Sequence, residues 1–371
     1  MKEPYLSFIF GYRDRDIDRV RRCLKSLANQ EEKNFEIILV DYGSRQEIAE
    51  QVRVLAGEFE NLLLIRSETR GWPWNRSRAL NTGARKATGQ YLVTTDIDLI
   101  FPTDFSAYLE KKSQENLVIH VAPDLLPKRF GRWDDPFSVG PLPSMGRGAL
   151  GTCHVIHRDH YVAMGGFDET YEFWGIEDDD LHEREKAMGL QHQWVEEDVR
   201  ILHQWHPYAN YLTPGFLPEG YWMWLENYFR AKKDQLARNG DDWGRPVTAN
   251  DREVFRFFHP DSGASEDLPE AFDYEPLLNQ SISDFQLAFD RLAPGEAIVI
   301  GKGDVPWRFS WMTRFMNRLN GLSGGRIGWY YPRNYLRENL YNFLRDRRSE
   351  VADYFLNVPI DGRPSIIVKA R

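Results

Sequence analysis

The sequence predicts an α/β fold, a mostly parallel sheet flanked by helices, followed by a smaller α+β module toward the C-terminus. Short apolar runs alternate with helix-period stripes through the first hundred residues. Polar residues gather where those runs stop, and an acidic stretch with Pro, Gly and Ser at 259–276 precedes a reversal of charge. These features divide the chain into a main domain at 1–250, a linker at 251–275 and a module at 276–371.

Leu6–Phe10 reads as a buried strand, and Val20, Cys23, Leu24 and Leu27 follow at i, i+3, i+4 and i+7, the stripe of an amphipathic helix. Glu36–Val40 is the next strand, with Ile48, Val52 and Leu55 marking a second helix. Leu62–Ile65 gives a third strand, Trp74–Ala87 a third helix and Tyr91–Thr95 a fourth strand. Such alternation implies right-handed crossovers, and ligands then bind beyond the carboxyl ends of the strands. Tyr12, Arg13 and Asp14, then Asp41, then Asp96 and Asp98 stand at those ends. The Gly- and Pro-rich stretch from Pro123 to Gly151 reads as a long surface loop able to act as a lid. A strand near Cys153–His157, a helix from Arg158 to Met164 broken by Gly165-Gly166, and a helix from Glu177 to Met188 follow. Tyr221–Leu236 reads as an aromatic helix, its stripe core or a sugar-stacking or membrane-interface surface. Ala297–Ile300 and Ser365–Lys369 are apolar runs of the C-terminal module.

The chain has 371 residues, 42% hydrophobic and 28% charged, which suits about two folded units and excludes wholesale disorder or a coiled coil. Its two cysteines cannot build a disulfide framework. No apolar run reaches the roughly 18 residues of a membrane span, and the N-terminus lacks a signal-peptide pattern, so a cytoplasmic location is expected. The net charge of −9 argues against general nucleic-acid binding. From 301 onward 13 basic residues face 6 acidic ones, a tail that suits an anionic partner, a membrane surface or the acidic body.

Three constellations carry chemistry. Asp96-Ile97-Asp98 closes an apolar strand, and two carboxylates so close repel unless a divalent cation neutralises them. Hard oxygen ligands suit Mn²⁺ or Mg²⁺, which can bridge a diphosphate; a solvated acidic turn is the plainer alternative. Gly165-Gly166-Phe167-Asp168 is followed by Trp174-Gly175-Ile176-Glu177-Asp178-Asp179-Asp180. First-turn acids that complement a helix dipole account for one or two of those four, and a carboxylate there is placed to accept a hydroxyl proton. Third, His203 and His206 are three residues apart, either metal ligands or structural histidines.

Taken together, Phe35–Ser44, Asn75–Gly83 with Arg78 and Asn81, Asp96–Asp98, Gly-Gly-Phe-Asp, Trp-Gly-x-Glu-Asp and His203 resemble a GT-A glycosyltransferase. The likeness spans about residues 5–240 and is to family 2-like enzymes with a galactosyltransferase-type C-terminal motif. It implies transfer of a hexosyl group from a nucleotide diphosphosugar, UDP-linked by analogy, to a saccharide or other hydroxyl acceptor with inversion. By the same resemblance Asp98 and His203 hold Mn²⁺ or Mg²⁺, with Asp96 beside them on metal, sugar or ribose and His206 the second choice. Asp41, Arg13 and Arg78 meet the nucleotide, Asp178 is the base, and Glu177 contacts donor sugar or acceptor. Tyr42 replaces the second Asp of the family's Asp-Asp-Gly-Ser, and Ile176 stands where galactosyltransferases have Gly. The C-terminal module would make a peripheral membrane or homo-oligomer contact. A nucleotidyltransferase, or a carbohydrate-binding or scaffold protein on a transferase fold, is the alternative.

Overall fold

The computed structural model describes residues 4–72, 74–138, 140, 151–172, 175–195, 198–206, 236–237, 239–248, 271–272, 280–300, 315, 318–319, 343, 347, 349–357 and 365–371. The described chain forms two compact units, one built from 1–69, 74–206 and 226–247, the other from 70–73, 207–225 and 248–371. Trp174, the aromatic segment Tyr221–Phe229 and most of the expected linker lie outside the described residues.

The first unit is organised by a seven-stranded sheet. Its strands in chain order are β1 (Leu6–Tyr12), β2 (Phe35–Tyr42), β3 (Leu62–Ser67), β4 (Tyr91–Asp96), β6 (Leu117–Val121), β8 (Cys153–His157) and β9 (Gln191–Val195). Their spatial order is β3-β2-β1-β4-β8-β6-β9. Four of the six pairings are parallel, and β8 runs against both neighbours. Helices α1 (Ile17–Ala28), α2 (Gln46–Ala56) and α3 (Arg76–Ala84) make the crossovers between the early strands. The expected α/β class with a mostly parallel sheet is what the chain forms.

Period-2 alternation splits the core between the two faces of the sheet. Phe8, Phe10, Ile37 and Leu39 pack with Val20, Leu24 and Val52 of α1 and α2. Ile9, Ile38 and Val40 face the other way, onto Ala79 and Leu80 of α3 and Leu181 of α6 (Glu177–Ala187). The third helix begins two residues later than its apolar pattern suggests. Asn75 is extended at φ −135°, and its side chain caps the helix by accepting from the Arg78 amide at 2.7 Å.

A second, three-stranded sheet joins β5 (Leu99–Ile100), β10 (Ile201–His203) and β7 (Pro123–Leu125). It corrects the expectation of a loop throughout 123–151, because Ile201–His203 pairs in parallel with Pro123–Leu125. A 3₁₀ turn forms at Pro136–Ser138, while residues 141–150 lie outside the described residues. In the second unit β11 (Ala271–Phe272), β12 (Ala297–Ile300), β13 (Val351–Asn357) and β14 (Ser365–Ala370) form a sheet in the order β11-β12-β14-β13. Helix Gln280–Phe289 belongs to the same unit. There Arg347 pairs with Asp290 and Glu350.

One buried amide ties α3 to the Gly-Gly-Phe-Asp turn. Asn81 Oδ1 accepts from the Phe167 amide at 2.9 Å and the Tyr161 hydroxyl at 2.7 Å. Its Nδ2 donates to Phe167 O at 2.8 Å and Glu169 Oε1 at 3.0 Å. Gly166 makes the approach possible: its φ is +69°, and a Cβ there would overlap the Asn81 side chain. Asn81→Ala leaves the buried Phe167 amide and the Tyr161 hydroxyl without these partners. It is expected to cost about 3 kcal/mol, measured as a lower urea midpoint at unchanged m-value.

Candidate active site

Strand register brings the polar residues to one edge. Tyr12 at the end of β1 is level with Asp41 on β2, and Gly11 is level with Asp96 on β4. The chain leaves β4 through a turn pinned by buried Ile97, and β5 then runs antiparallel to β10. That pairing sets His203 opposite Leu99, and the Gln204 amide donates to Asp98 O at 3.0 Å. His203 is thereby locked next to Asp98 by backbone, across more than a hundred residues of sequence.

Asp98 is 3% exposed. His203 Nε2 lies 3.5 Å from its Oδ1, and His206 Nε2 lies 3.2 Å from its Oδ2. The two histidines between which the sequence leaves a choice therefore both reach the carboxylate. Burial alone would raise the Asp98 carboxyl. The hydrogen bond from His206 and the charges of His203 and Arg15 outweigh burial and hold it well below the usual carboxylate range. Asp98 Oδ1 has no hydrogen-bond partner among the described residues, an unmet acceptor in a buried place. One carboxylate and two imidazoles whose donor atoms converge within 4.8 Å suit a divalent ion such as Mn²⁺.

Asp96 stands apart from that cluster, drawn to Arg76. Arg76 Nη1 is 2.9 Å from Asp178 Oδ1 and its Nη2 is 3.4 Å from Asp96 Oδ1, while Nη2 also donates to Gly151 O. Burial opposes the charge of this guanidinium, but Asp178, Asp96 and Glu177 outweigh it and strengthen its hold on the proton. Arg76 is absent from the sequence-derived candidates. A local signal was present: α3 has no acid in its first turn but carries Arg76 and Arg78 there, against the helix dipole. Cations placed so need a partner of their own.

Gly175 at φ +99° and Ile176 at φ +75° turn the chain into α6, whose first residues are Glu177 and Asp178. A β-branched residue at positive φ is strained, and the strain sits immediately before the proposed catalytic carboxylates. Asp178 packs against Gly151 so closely that a Cβ there would overlap its carboxylate. Asp180 is buried and pairs with Arg184 at 2.9 Å, the partner its place on the helix suggests.

The remaining candidates are held by the protein itself. Arg13 donates through Nε to Tyr42 O and through Nη2 to Thr69 O at 3.0 Å, with its guanidinium over the Tyr42 and Trp74 rings. Asp41 is buried and accepts from the Ser44 amide at 2.9 Å; burial is the main cause that raises its carboxyl. Arg78 Nε meets Glu169 Oε2 at 3.0 Å.

Burial first, and the Asp178 charge second, push the Glu177 carboxyl up to about 7, against the opposing pull of Arg76. The raised value makes the folded state retain a proton that the unfolded chain releases from about 4.5 upward. Stability from this group is fully present below about pH 4.5 and is lost as pH rises to about 7. Glu177→Gln is therefore expected to gain on the unmutated protein by up to about 3 kcal/mol between pH 5 and pH 8, read from urea unfolding at both values.

Residues 10–138 match the family described as glycosyl transferase family 2, and residues 142–206 match the N-terminal domain of galactosyltransferase. Human chondroitin sulfate synthase 3 is 24% identical over 210 residues, covering 51% of this chain and 22% of that one. The chain thus spans about a fifth of the length of this curated relative. Among solved structures, a mannosyltransferase from Pyrobaculum calidifontis, in complex with GDP-Man and Mn²⁺, aligns with 19% identity and a TM-score of 0.42, covering 57% of this chain and 59% of that one. GalNAc-T7 with UDP, GalNAc and Mn²⁺ aligns with 17% identity and a TM-score of 0.43, covering 61% and 47%. The two family matches follow each other along the chain, from the first strand to the histidines of the site, and both are to glycosyltransferase families.

Proposed function

We propose that this protein is a glycosyltransferase that moves a hexosyl group from a nucleotide diphosphosugar, a UDP-sugar by its resemblance, to a saccharide hydroxyl with inversion. The observation that carries the reading is a pair of neighbouring clusters at the end of β4, Asp98 with His203 and His206 and, on the other side, Arg76 with Asp96 and Asp178. A saccharide acceptor agrees with a relative named for making chondroitin sulfate. Mn²⁺ or Mg²⁺ would be held by Asp98 and His203, with His206 beside them, and would screen the charge growing on the leaving diphosphate.

The protein's own groups do the rest. The acceptor oxygen bonds to the anomeric carbon while the bond from that carbon to the diphosphate oxygen breaks. The nucleoside diphosphate leaves with the bonding pair, and the acceptor proton passes to Asp178. Arg76 holds Asp178 in position, and through Asp96 it links the base to the donor side. One carboxylate on the face opposite the leaving group suffices for inversion. Asp41 and Arg13, set beside each other by the β1–β2 register, would receive the nucleotide. All these groups precede residue 210, which leaves 276–371 for acceptor use, assembly or a membrane contact in the cytoplasm.

Glu177 is a second candidate for the base, favoured by a carboxyl already pushed to about 7 and so matched to neutral pH. The two readings separate in kinetics. With Asp178 as base, Asp178→Asn lowers kcat by about 10²–10⁴ and leaves donor affinity unchanged. Glu177→Gln then retains transfer. With Glu177 as base, kcat/KM of the unmutated enzyme falls as pH drops through about 7, and Glu177→Gln abolishes transfer. A product of unchanged anomeric configuration would refute inversion in either case. The metal assignment has its own measurement: calorimetry with a nucleoside diphosphate should show binding that needs Mn²⁺ in the unmutated protein and has lost that dependence in Asp98→Ala.

A further inference from the structure

Behind the acidic end of α6 lies a second cluster that the transfer chemistry does not use. Four of the nine histidines, His120 on β6, His154 on β8, His182 on α6 and His192 on β9, surround Glu185 of α6. Adjacent strands supply His120 and His192, and one helical turn supplies His182 and Glu185 on a shared face. We propose that His120, His182, His192 and Glu185 form a four-ligand site for a borderline divalent ion, Zn²⁺ by ligand chemistry, that fastens α6 to the sheet.

The geometry is near what such an ion requires. Zn–N bonds of about 2.1 Å in a tetrahedron place neighbouring ligand atoms about 3.4 Å apart. Here His120 Nε2 is 3.0 Å from His192 Nδ1, and Glu185 Oε2 is 3.9 Å from His192 Nδ1 and 4.0 Å from His182 Nδ1. One ligand atom from each of the four residues falls within 4.8 Å of all the others. Shifts of a few tenths of an ångström would equalise these separations.

The polar accounting points the same way. Glu185 is fully buried, and its ion-pair partners among the described residues are all histidines. Its Oε2 and His182 Nδ1 have no hydrogen-bond partner among the described residues. Buried polar atoms are normally paired, and unmet acceptors facing one point mark the place of an ion. The other carboxylate oxygen, Oε1, is 2.6 Å from His154 Nε2, and His154 Nδ1 lies 3.3 Å from Thr94 Oγ1. Such an outer histidine fixes a ligating carboxylate in orientation. Trp194 stacks on His120 at 4.5 Å and shields the cluster. Three imidazoles with one carboxylate suit Zn²⁺ better than Mg²⁺ or Ca²⁺, and four protein ligands leave no open position, so the ion is structural.

A structural ion is useful at this place. The sequence of α6 is EDDDLHEREKA, in which Leu181 is the one large apolar residue buried. Apolar burial cannot hold such a helix, so polar anchors must. His120, His154, His182 and Glu185 line a small cavity together with Phe167, Leu181 and Asp178. The metal site stands independently of the transferase reading; only its bracing of Asp178 rests on that reading.

Metal content and stability of the full chain test the site without any assay of transfer. The protein, purified after growth with added zinc and dialysed against EDTA, is expected to retain about one zinc per chain by elemental analysis. Asp98→Ala should retain it equally, whereas His182→Ala and Glu185→Gln should each lose it. Stripping with a stronger chelator should lower the Tm of the unmutated protein, with Zn²⁺ and not Mg²⁺ restoring it. Co²⁺ in the stripped Asp98→Ala protein should give the intense visible absorption of a four-coordinate ion. Zinc-free protein whose Tm does not respond to Zn²⁺ would overturn the proposal, as would bound zinc that Asp98→Ala removes. Should the His182 and Glu185 variants fail to fold, the chelation and Co²⁺ measurements decide alone. If the zinc is confirmed but donor binding fails, the transferase reading falls and the site stands.

Discussion

A half-buried guanidinium shared between two carboxylates is the interaction on which the site depends. Arg76 touches Asp96, Asp178 and the Gly151 carbonyl, so it fastens the end of β4, the start of α6 and the segment before β8 to one another. Without that charge, Asp96, Glu177 and Asp178 would gather at one place with no cation between them. The same charge explains how four consecutive acids can begin a helix. At 3.6 residues per turn they face four environments. Glu177 is buried and raised in pKa, Asp178 meets Arg76, Asp179 is exposed, and Asp180 meets Arg184.

Much of the first unit was legible because its signals are local. Apolar runs of strand length and stripes at i, i+3, i+4 and i+7 mark β1 to β4 and α1 to α3 within about three residues. Asp98 and His203 were legible as candidates for a related reason, since each stands in a short motif. What sequence reading missed was made by distant pairing. The strands β6, β9 and β10 are short and interrupted by histidine or tryptophan, so their apolar pattern is weak, and neighbouring strands rather than propensity specify them. The reversed strand β8 is likewise set by its place between β4 and β6.

The histidine cluster shows the limit most clearly. His120 and His192 are 72 residues apart and meet because β6 and β9 are neighbours. Only His182 and Glu185 had a readable spacing, and the acid run beside them masked it. Arg76 differs, because its signal was local but inverted: a positive charge at a helix start is unfavourable, and an unfavourable placement points to a partner elsewhere, here Asp96 and Asp178. Motif glycines illustrate a third case. Gly165 and Gly166 read as a helix breaker, and the reason is structural, with positive φ at both and the Asn81 amide against the second.

These features converge on a mechanical constraint. Gly175 and Ile176 bend the chain through left-handed conformations just before Glu177, and for an isoleucine that conformation costs about 1–2 kcal/mol. Strain persists only where its surroundings over-determine the geometry. Apolar packing cannot do so for α6, which buries little beyond Leu181. Instead Arg184 pairs with Asp180 and donates to Met164 O at 3.1 Å and Gly166 O at 2.8 Å, tying the helix to the glycine turn that Asn81 already holds. Arg76 secures the first turn, and the carboxylate of Glu185 secures the third. The helix is positioned by directional polar contacts at each turn, and directional contacts fix rotation about the helix axis, which apolar packing alone leaves less defined. Rotation is the variable that decides whether Asp178 or Asp179 faces the site. A fold that presents one carboxylate out of four in succession toward Arg76 therefore has a physical reason to anchor that helix through charge.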